Sequence, residues 1–301
     1  MNLRIITAAL AAAALAGCYW PPMPPPPSST QHLYVGNDAA AGGVQQYSLP
    51  ISGGSTPSFA LATQPHVTAV AVNTNPSSEL AAGETGGSIQ FFPPPLSSGS
   101  VPSATFQNGT ALGVGQIFFD TNVMFATTNA GYVNRYSSPF PTSTPFAIVD
   151  PALFTTYGVV RDTPGDVYVS NVVVPGTITS DIVRLPTSGS TIVSQPLTGT
   201  TYRQLAINGG RLFAASDAGA AGRVDVYTLP MAAGATPAFA IANGVAKPFT
   251  VAFDSSGNLY VGNSANSTVT MYVPPFSAAS GPTVTMPVAG SYSVVAIGIG
   301  P

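Results

Sequence analysis

The chain has 301 residues, and Asp, Glu, Lys and Arg together make up only 6% of them. An ordinary soluble domain carries roughly 25%. Because 45% of the residues are hydrophobic, the chain has enough apolar surface for a core, which excludes a solvated disordered polymer. The formal net charge of −3 excludes the dense positive charge that nucleic acids and anionic lipid surfaces attract. We therefore expect no nucleic-acid partner.

The first 18 residues have the pattern of an export signal. Arg4 supplies a positive charge, and an uninterrupted run of 12 residues without charge, 5–16, follows it. A membrane-spanning helix needs about 20 apolar residues, so this run is too short to be one. The run leads into Leu15-Ala16-Gly17-Cys18, which resembles the bacterial lipobox, and Cys18 is the only cysteine of the chain. The resemblance implies a signal peptide over residues 1–17 and acylation of Cys18.

An acylated Cys18 would hold the mature protein on a lipid bilayer, because two or more acyl chains give stable anchoring. The next residue is Tyr19. An Asp at that position would resemble an inner-membrane retention signal. We therefore expect an exported protein anchored in the bacterial cell envelope, at the outer membrane. The alternative is an ordinary secretory signal in which Cys18 has no role.

Residues 18–31 read as a tether. Six prolines lie between Tyr19 and Gln31. Proline-rich segments adopt the extended polyproline II conformation at about 3.1 Å per residue, so residues 19–31 would span about 40 Å. The alternative is a PxxP ligand for an aromatic-lined groove.

The remaining residues, 32–301, form a repeat. A short apolar segment that ends in a small residue recurs six times, with 43 to 47 residues between successive copies. The six copies are Leu33-Tyr34-Val35-Gly36, Leu80-Ala81-Ala82-Gly83, Met124-Phe125-Ala126-Thr127, Val167-Tyr168-Val169-Ser170, Leu212-Phe213-Ala214-Ala215 and Leu259-Tyr260-Val261-Gly262. Each unit holds four short apolar runs separated by Gly, Asn and Pro, as in residues 249–286, and this is typical of a propeller blade. The sequence predicts an all-β domain, a six-bladed β-propeller of four-stranded antiparallel blades.

The two ends of the repeat region complement each other. The first unit lacks an innermost strand, whereas the C-terminus carries a surplus apolar run at residues 292–297. Pairing this run with the first unit would close the ring and remove the exposed strand edges of an open one. The predicted innermost strands are 68–73, 115–120, 157–162, 203–208, 249–254 and 292–297.

The clearest copy of the repeat runs from Asp254 to Tyr272. Asp254-Ser255-Ser256-Gly257-Asn258-Leu259-Tyr260-Val261-Gly262-Asn263, followed by Ser267 to Tyr272, resembles the NHL-type propeller repeats of bacterial secreted proteins. Six-bladed relatives of this kind include binding platforms and metal-dependent enzymes similar to the gluconolactonase group. The latter hold a divalent cation such as Ca²⁺ with Glu, Asn and Asp oxygens at the channel mouth. In this chain the weak candidates for such a site are Asn37, Glu84, Asn171 and Asn263, although Asn at these repeat positions also favours the turn itself.

A second group of residues precedes the predicted innermost strands and is expected at one mouth of the channel. It comprises His66, Tyr157, Tyr202, Arg203, Lys247 and Tyr292. Cations and aromatic rings at one mouth would form a pocket for an anionic or sugar-like ligand. The alternative is that they are scattered loop residues. Asp120, Asp162 and Asp254 end innermost strands and are expected in turns on the opposite face, and Arg161 is expected to form an internal ion pair.

Two function classes follow. The first is a monomeric, membrane-anchored platform that binds a protein or glycan, without a catalytic residue and without a cofactor. The second is a metal-dependent lactonase, hydrolase or lyase that acts at the channel mouth. The sequence contains no G-x-S-x-G elbow and no phosphate-binding GxxxxGK segment, which argues against serine-hydrolase and nucleotide chemistry and leaves these two classes.

Overall fold

The computed structural model describes residues 30–38, 43–61, 66–74, 78–109, 113–140, 145–173, 179–218, 221–290 and 293–301. These residues form six antiparallel sheets, and the innermost strands of the sheets contact one another in cyclic order. The predicted six-bladed propeller is therefore confirmed. The signal peptide, Cys18 and most of the tether lie outside the described residues. No described residue belongs to a helix long and apolar enough to cross a membrane.

The strands are numbered along the chain, and each blade contributes one strand to each of four positions. The innermost strands are β4 (Val67–Asn73), β8 (Val114–Asp120), β12 (Thr155–Arg161), β17 (Thr201–Asn208), β21 (Pro248–Phe253) and β25 (Val294–Gly300). The second strands are β1 (His32–Asn37), β5 (Glu79–Glu84), β9 (Val123–Thr128), β13 (Val167–Val173), β18 (Arg211–Asp217) and β22 (Leu259–Asn263). The third strands are β2 (Val44–Ser48), β6 (Ser88–Phe92), β10 (Tyr132–Ser137), β14 (Thr179–Leu185), β19 (Arg223–Thr228) and β23 (Thr268–Tyr272).

The outermost strands are shorter. They are β3 (Phe59–Leu61), β7 (Ala104–Gln107), β11 (Phe146–Val149), β20 (Phe239–Ile241) and β24 (Val284–Pro287), and in the fourth blade the divided pair β15 (Ile192–Val193) and β16 (Leu197–Thr198). Both pieces of the divided strand pair with β14. Blade one consists of β25, β1, β2 and β3, and blades two to six follow in chain order.

The C-terminal strand closes the ring as predicted, but it lies further along the chain. β25 pairs with β1 from His32↔Gly300 to Asn37↔Val294. The predicted end at residue 297 was therefore wrong, because the strand continues to Gly300, while residue 292 lies outside the described residues. Glycine lowers strand propensity, so the Gly298 to Gly300 segment carried no strand signal.

The core is divided between the blades. The buried apolar side chains form six clusters in the described part of the chain, and each cluster combines residues of two neighbouring blades. The small residue that ends each repeat segment allows this close approach. A Cβ atom on Gly83 would lie 2.8 Å from Val114 of the next blade, and one on Gly36 would lie 2.8 Å from Val67. The small residue of each repeat therefore marks the point at which a second strand packs against the innermost strand of the next blade.

The connections define two faces of the ring. The upper face carries the loops from each outermost strand to the next innermost strand and the turns between second and third strands. The lower face carries the turns between innermost and second strands, such as Asp254 to Asn258. Gln31, directly before β1, lies at the lower face, where its side-chain Oε1 accepts hydrogen bonds from Ser255 N at 3.0 Å and Ser255 Oγ at 2.7 Å.

Candidate functional site

A backbone irregularity repeats in the upper half of all six innermost strands. In each of them the pairing with the second strand skips one or two residues. A β-bulge of this kind re-aims the extra side chain. The skipped residues are Val295, Thr68, Gly115 with Gln116, Tyr157, Arg203 with Gln204, and Phe249, in blades one to six respectively. They form one ring around the upper part of the channel, which we call the bulge ring.

Two glutamines of the bulge ring span the channel. Gln204 Nε2 donates to Gly115 O at 2.8 Å and to Thr68 O at 3.1 Å, in two other blades. Gln116 Nε2 donates to Leu205 O at 2.8 Å, and its Oε1 accepts from Val159 N at 2.9 Å and Leu205 N at 3.0 Å. Both side chains are buried. They satisfy backbone groups that the bulges withdraw from the sheet ladders.

Below the glutamines the channel is apolar. A cavity of about 260 Å³ opens toward the lower face and is lined by all six innermost strands, with Val72, Phe119 and Ile299 among the lining residues. None of its lining residues is titratable. This part of the channel therefore offers no group for acid–base chemistry.

Above the glutamines, Arg203 is held between two aromatic rings. Its guanidinium carbon lies 4.6 Å from the centre of the Tyr157 ring and 4.7 Å from the centre of the Phe249 ring. Its Nη2 is 3.5 Å from Oδ2 of Asp217, at the end of β18. The side chains of Arg203 and Asp217 are 20% and 18% exposed. We call Tyr157, Arg203 and Phe249 the arginine stack.

The arginine stack contains two of the six residues predicted at the mouth, Tyr157 and Arg203. A third, Tyr202, was placed wrongly. Its side chain is fully buried between blades, and its hydroxyl contacts Asp225 Oδ2 at 3.0 Å and Tyr227 Oη at 2.7 Å. Burial, followed by the charge of Asp225, raises the pKa of Tyr202 well above its usual range. Neighbouring strand residues point in opposite directions, so Tyr202 and Arg203 cannot both face the channel.

The other predicted mouth residues lie apart from the arginine stack. His66 Nδ1 is 2.8 Å from Asp38 Oδ1 at the rim of the upper face, and both side chains are about half exposed. Lys247 is exposed on the same face, and its carbonyl accepts a hydrogen bond from Ser264 N at 3.0 Å. Tyr292 lies outside the described residues.

The four weak metal candidates occupy structural positions. Asn171 Oδ1 accepts from Phe154 N at 2.7 Å, and Asn263 Oδ1 accepts from Ala246 N at 2.9 Å. Each bond ties a second strand to the loop that enters the same blade. Asn37 is buried, and Glu84 accepts a hydrogen bond from the Ser88 hydroxyl. Within the described ranges no three His, Cys, Asp or Glu side chains are grouped as a metal site.

Asp162 and Asp254 are lower-face turn residues, as predicted, whereas Asp120 is the last residue of β8 and pairs with Val123. Asp162 Oδ1 accepts from Gly165 N at 3.0 Å and Asp166 N at 2.8 Å. Asp254 Oδ1 likewise accepts within its own turn, from Ser256 N and Asn258 N, both at 2.9 Å. Arg161 forms an ion pair, and its partner is Asp120 of the preceding blade, at 2.6 Å.

Of the eight residues in the bulge ring, sequence reasoning found only Tyr157 and Arg203, and the side chains with a role that it missed are Gln116, Gln204 and Phe249. A polar amide inside an otherwise apolar innermost strand was a usable signal for the two glutamines, since buried polar groups need partners. Phe249 carried no such signal, because an aromatic residue is ordinary in a strand.

No family model matches the chain, and no curated protein matches it. Solved propeller structures do. The WD40 β-propeller domain of Doa1 is 12% identical, with a TM-score of 0.59 over 89% of this chain and 82% of that one. The structure of U3-55K is 12% identical, with a TM-score of 0.57 over 90% and 85%. The β-propeller domain of Cps50 (Swd1) from Myceliophteria thermophila is 12% identical, with a TM-score of 0.51 over 75% and 72%. At this identity the likeness shows the fold alone, and the chain is a β-propeller.

Proposed function

We propose that the chain is a bacterial envelope lipoprotein, anchored through acylated Cys18, whose propeller is a binding platform for a protein or glycan. The lipobox-like Leu15 to Cys18 and the proline-rich tether support the anchor. Tyr19 in the position after the cysteine supports the outer membrane as its location. The Asp254 to Asn263 segment supports an NHL-type origin of the repeats.

The observation that carries this proposal is the place where the tether joins the ring. Gln31 is bonded to the Asp254–Asn258 turn, so the chain arrives at the lower face. A tether of about 40 Å attached there holds the lower face toward the bilayer. The upper face, with the arginine stack, is then directed away from the lipid and presented to partners.

The described charged residues favour binding over catalysis. Arg161, Arg184 and Arg223 are each paired with an aspartate within 2.6 to 2.7 Å. The Arg161 pair joins two blades, the Arg184 pair lies within the fourth blade and the Arg223 pair lies along β19, and all three commit these groups to structure. A platform needs only a rigid scaffold and an exposed recognition surface, which a closed ring supplies.

Replacement of the acylation site tests the anchor. The Cys18→Ala variant is expected to lose palmitate labelling and to move from the membrane fraction to the soluble fraction. The loss of acyl chains removes about 0.8 kcal/mol for each buried CH₂ group. The readouts are metabolic palmitate labelling and membrane fractionation in low and high salt.

Two controls keep this test decisive. A chain in which an unrelated secretory signal is cleaved directly before Tyr19 removes the risk that an uncleaved signal holds Cys18→Ala on the membrane. Ser28→Ala, in the tether, should leave fractionation unchanged. If the chain that starts at Tyr19 still sediments with membranes after a salt wash, the lipoprotein proposal fails.

A further inference from the structure

The hydrogen bonds of Arg203 are incomplete. A guanidinium has five N–H donors in one plane. Among the described residues, the acceptor found for Arg203 is Asp217, at the long distance of 3.5 Å, and the buried Nε has no partner at all. Buried donors are normally paired, so an unpaired one needs an explanation.

Two aromatic rings restrict the movement of this cation. The guanidinium carbon of Arg203 lies over the Tyr157 ring of the preceding blade and over the Phe249 ring of the following blade, so the side chain is ordered without the use of its N–H donors. Stacking of this kind stabilises the cation and pre-organises its donors for a planar acceptor. The arginine side chain has then already lost its conformational entropy before a ligand binds.

The bulge-ring positions opposite the arginine stack carry small residues. The residues at the equivalent positions of blades one to three are Val295, Thr68 and Gly115, and none of them is charged. The arginine side chain keeps 20% of its surface exposed at the upper face. The guanidinium of Arg203 is therefore the cation of the bulge ring that a ligand at the mouth would contact.

We propose that the arginine stack binds the carboxylate group of a small organic acid. This inference rests on the proposed function as a binding platform and names the ligand class of its upper face. A carboxylate is planar and accepts two parallel N–H bonds from one guanidinium. The single arginine and the adjacent Asp217 favour a monoanion, because a phosphate dianion would be repelled more strongly by the aspartate.

Titration calorimetry with the purified full-length chain in detergent tests the proposal. The probes are glucuronate, its uncharged counterpart glucose, acetate and inorganic phosphate. Glucuronate and acetate are expected to bind saturably at one site, while glucose does not. The Arg203→Gln variant should bind glucuronate at least tenfold more weakly, because it loses charged hydrogen bonds. The matched control is Arg211→Gln, since Arg211 also stacks on a ring, Phe239, but lies next to a lower-face turn.

A second pair of variants separates recognition from folding. Asp217→Asn removes the competing negative charge and should tighten glucuronate binding about threefold, an effect that a purely structural ion pair would not produce. Phe249→Leu keeps the charge but removes one face of the stack, and should weaken binding severalfold. Circular dichroism and melting temperature establish that each variant is folded before it is titrated.

The following results would overturn the proposal: no saturable binding of either carboxylate up to millimolar concentration, tighter binding of phosphate than of glucuronate, or equal affinities for wild type and Arg203→Gln. None of these results affects the Cys18→Ala fractionation. A failure of the carboxylate site is therefore distinguishable from a failure of the lipoprotein proposal.

Discussion

Deletion of residues 290–301 is expected to prevent the chain from folding as a monomer. The deletion removes β25, whose Val294 and Ile297 are buried in the core that blades one and six share. Burial of the two core side chains, Val294 and Ile297, contributes about 3–6 kcal/mol, which is a large part of the 5–15 kcal/mol that stabilises a typical domain. The loss also leaves β1 as an unpaired edge that can join another chain.

Size-exclusion chromatography with light scattering, together with circular dichroism, measures this effect. The truncated chain should elute as oligomers or lose its β signal. Removal of Pro301 alone is the matched control, because it leaves every pair of β25 with β1 in place. A truncated chain that remains monomeric with an unchanged melting temperature would show that the ring does not depend on its last strand.

The second large effect is expected from Gln116→Leu. Leucine has a similar size but offers no amide, so Val159 N, Leu205 N and Leu205 O lose their partner in the centre of the ring. Each buried backbone group that is left unpaired costs about 1–3 kcal/mol, and we expect the free energy of unfolding to fall by about 3–4 kcal/mol.

Urea denaturation measures this loss. Gln107→Leu is the control, since Gln107 is exposed on the outermost strand β7 and should change the free energy of unfolding by less than about 0.5 kcal/mol. The Gln116→Glu variant keeps the acceptor but loses the donor to Leu205 O. Its free energy of unfolding should lie between those of Gln116→Leu and Gln107→Leu. Equal stabilities of Gln116→Leu and wild type would mean that the bulges do not need the amide.

The fold was predictable because one packing constraint determines the type of residue at one position of every second strand. A second strand must approach the next blade closely, and only a small residue permits it, as Gly83 against Val114 shows. Where the small residue carries a hydroxyl it has a second role. Thr127 Oγ1 donates to Tyr157 O at 3.0 Å, and Ser170 Oγ donates to Arg203 O at 2.6 Å. The repeat period and the small residue together specify the number of blades and their order.

The mouth was predictable only in part, because the bulges have no sequence signature. A bulge inserts a residue and shifts the side-chain alternation, so the residue that faces the channel cannot be counted from the strand ends. Tyr202, directly before the bulge, still pairs with Ser216 and is buried between blades, whereas Arg203 lies in the bulge and stacks on Tyr157 and Phe249. The shift also brings in Phe249, which looks like any other apolar strand residue. The type of residue at the mouth was foreseen, whereas its exact members depend on the backbone.

The junction of β1 and β25 has a consequence for the order of events during export. Tyr34 and Pro301 are 267 positions apart in the chain, yet the Tyr34 hydroxyl donates to the Pro301 carbonyl. Contacts of such long range form late, because the intervening chain must first be ordered. In the lipoprotein that we propose, β1 follows the acylated N-terminus closely, whereas β25 is the last strand to become available for pairing. Until β25 pairs with it, β1 has an unpaired edge. The membrane-anchored, incomplete ring is therefore the species that envelope chaperones would need to protect.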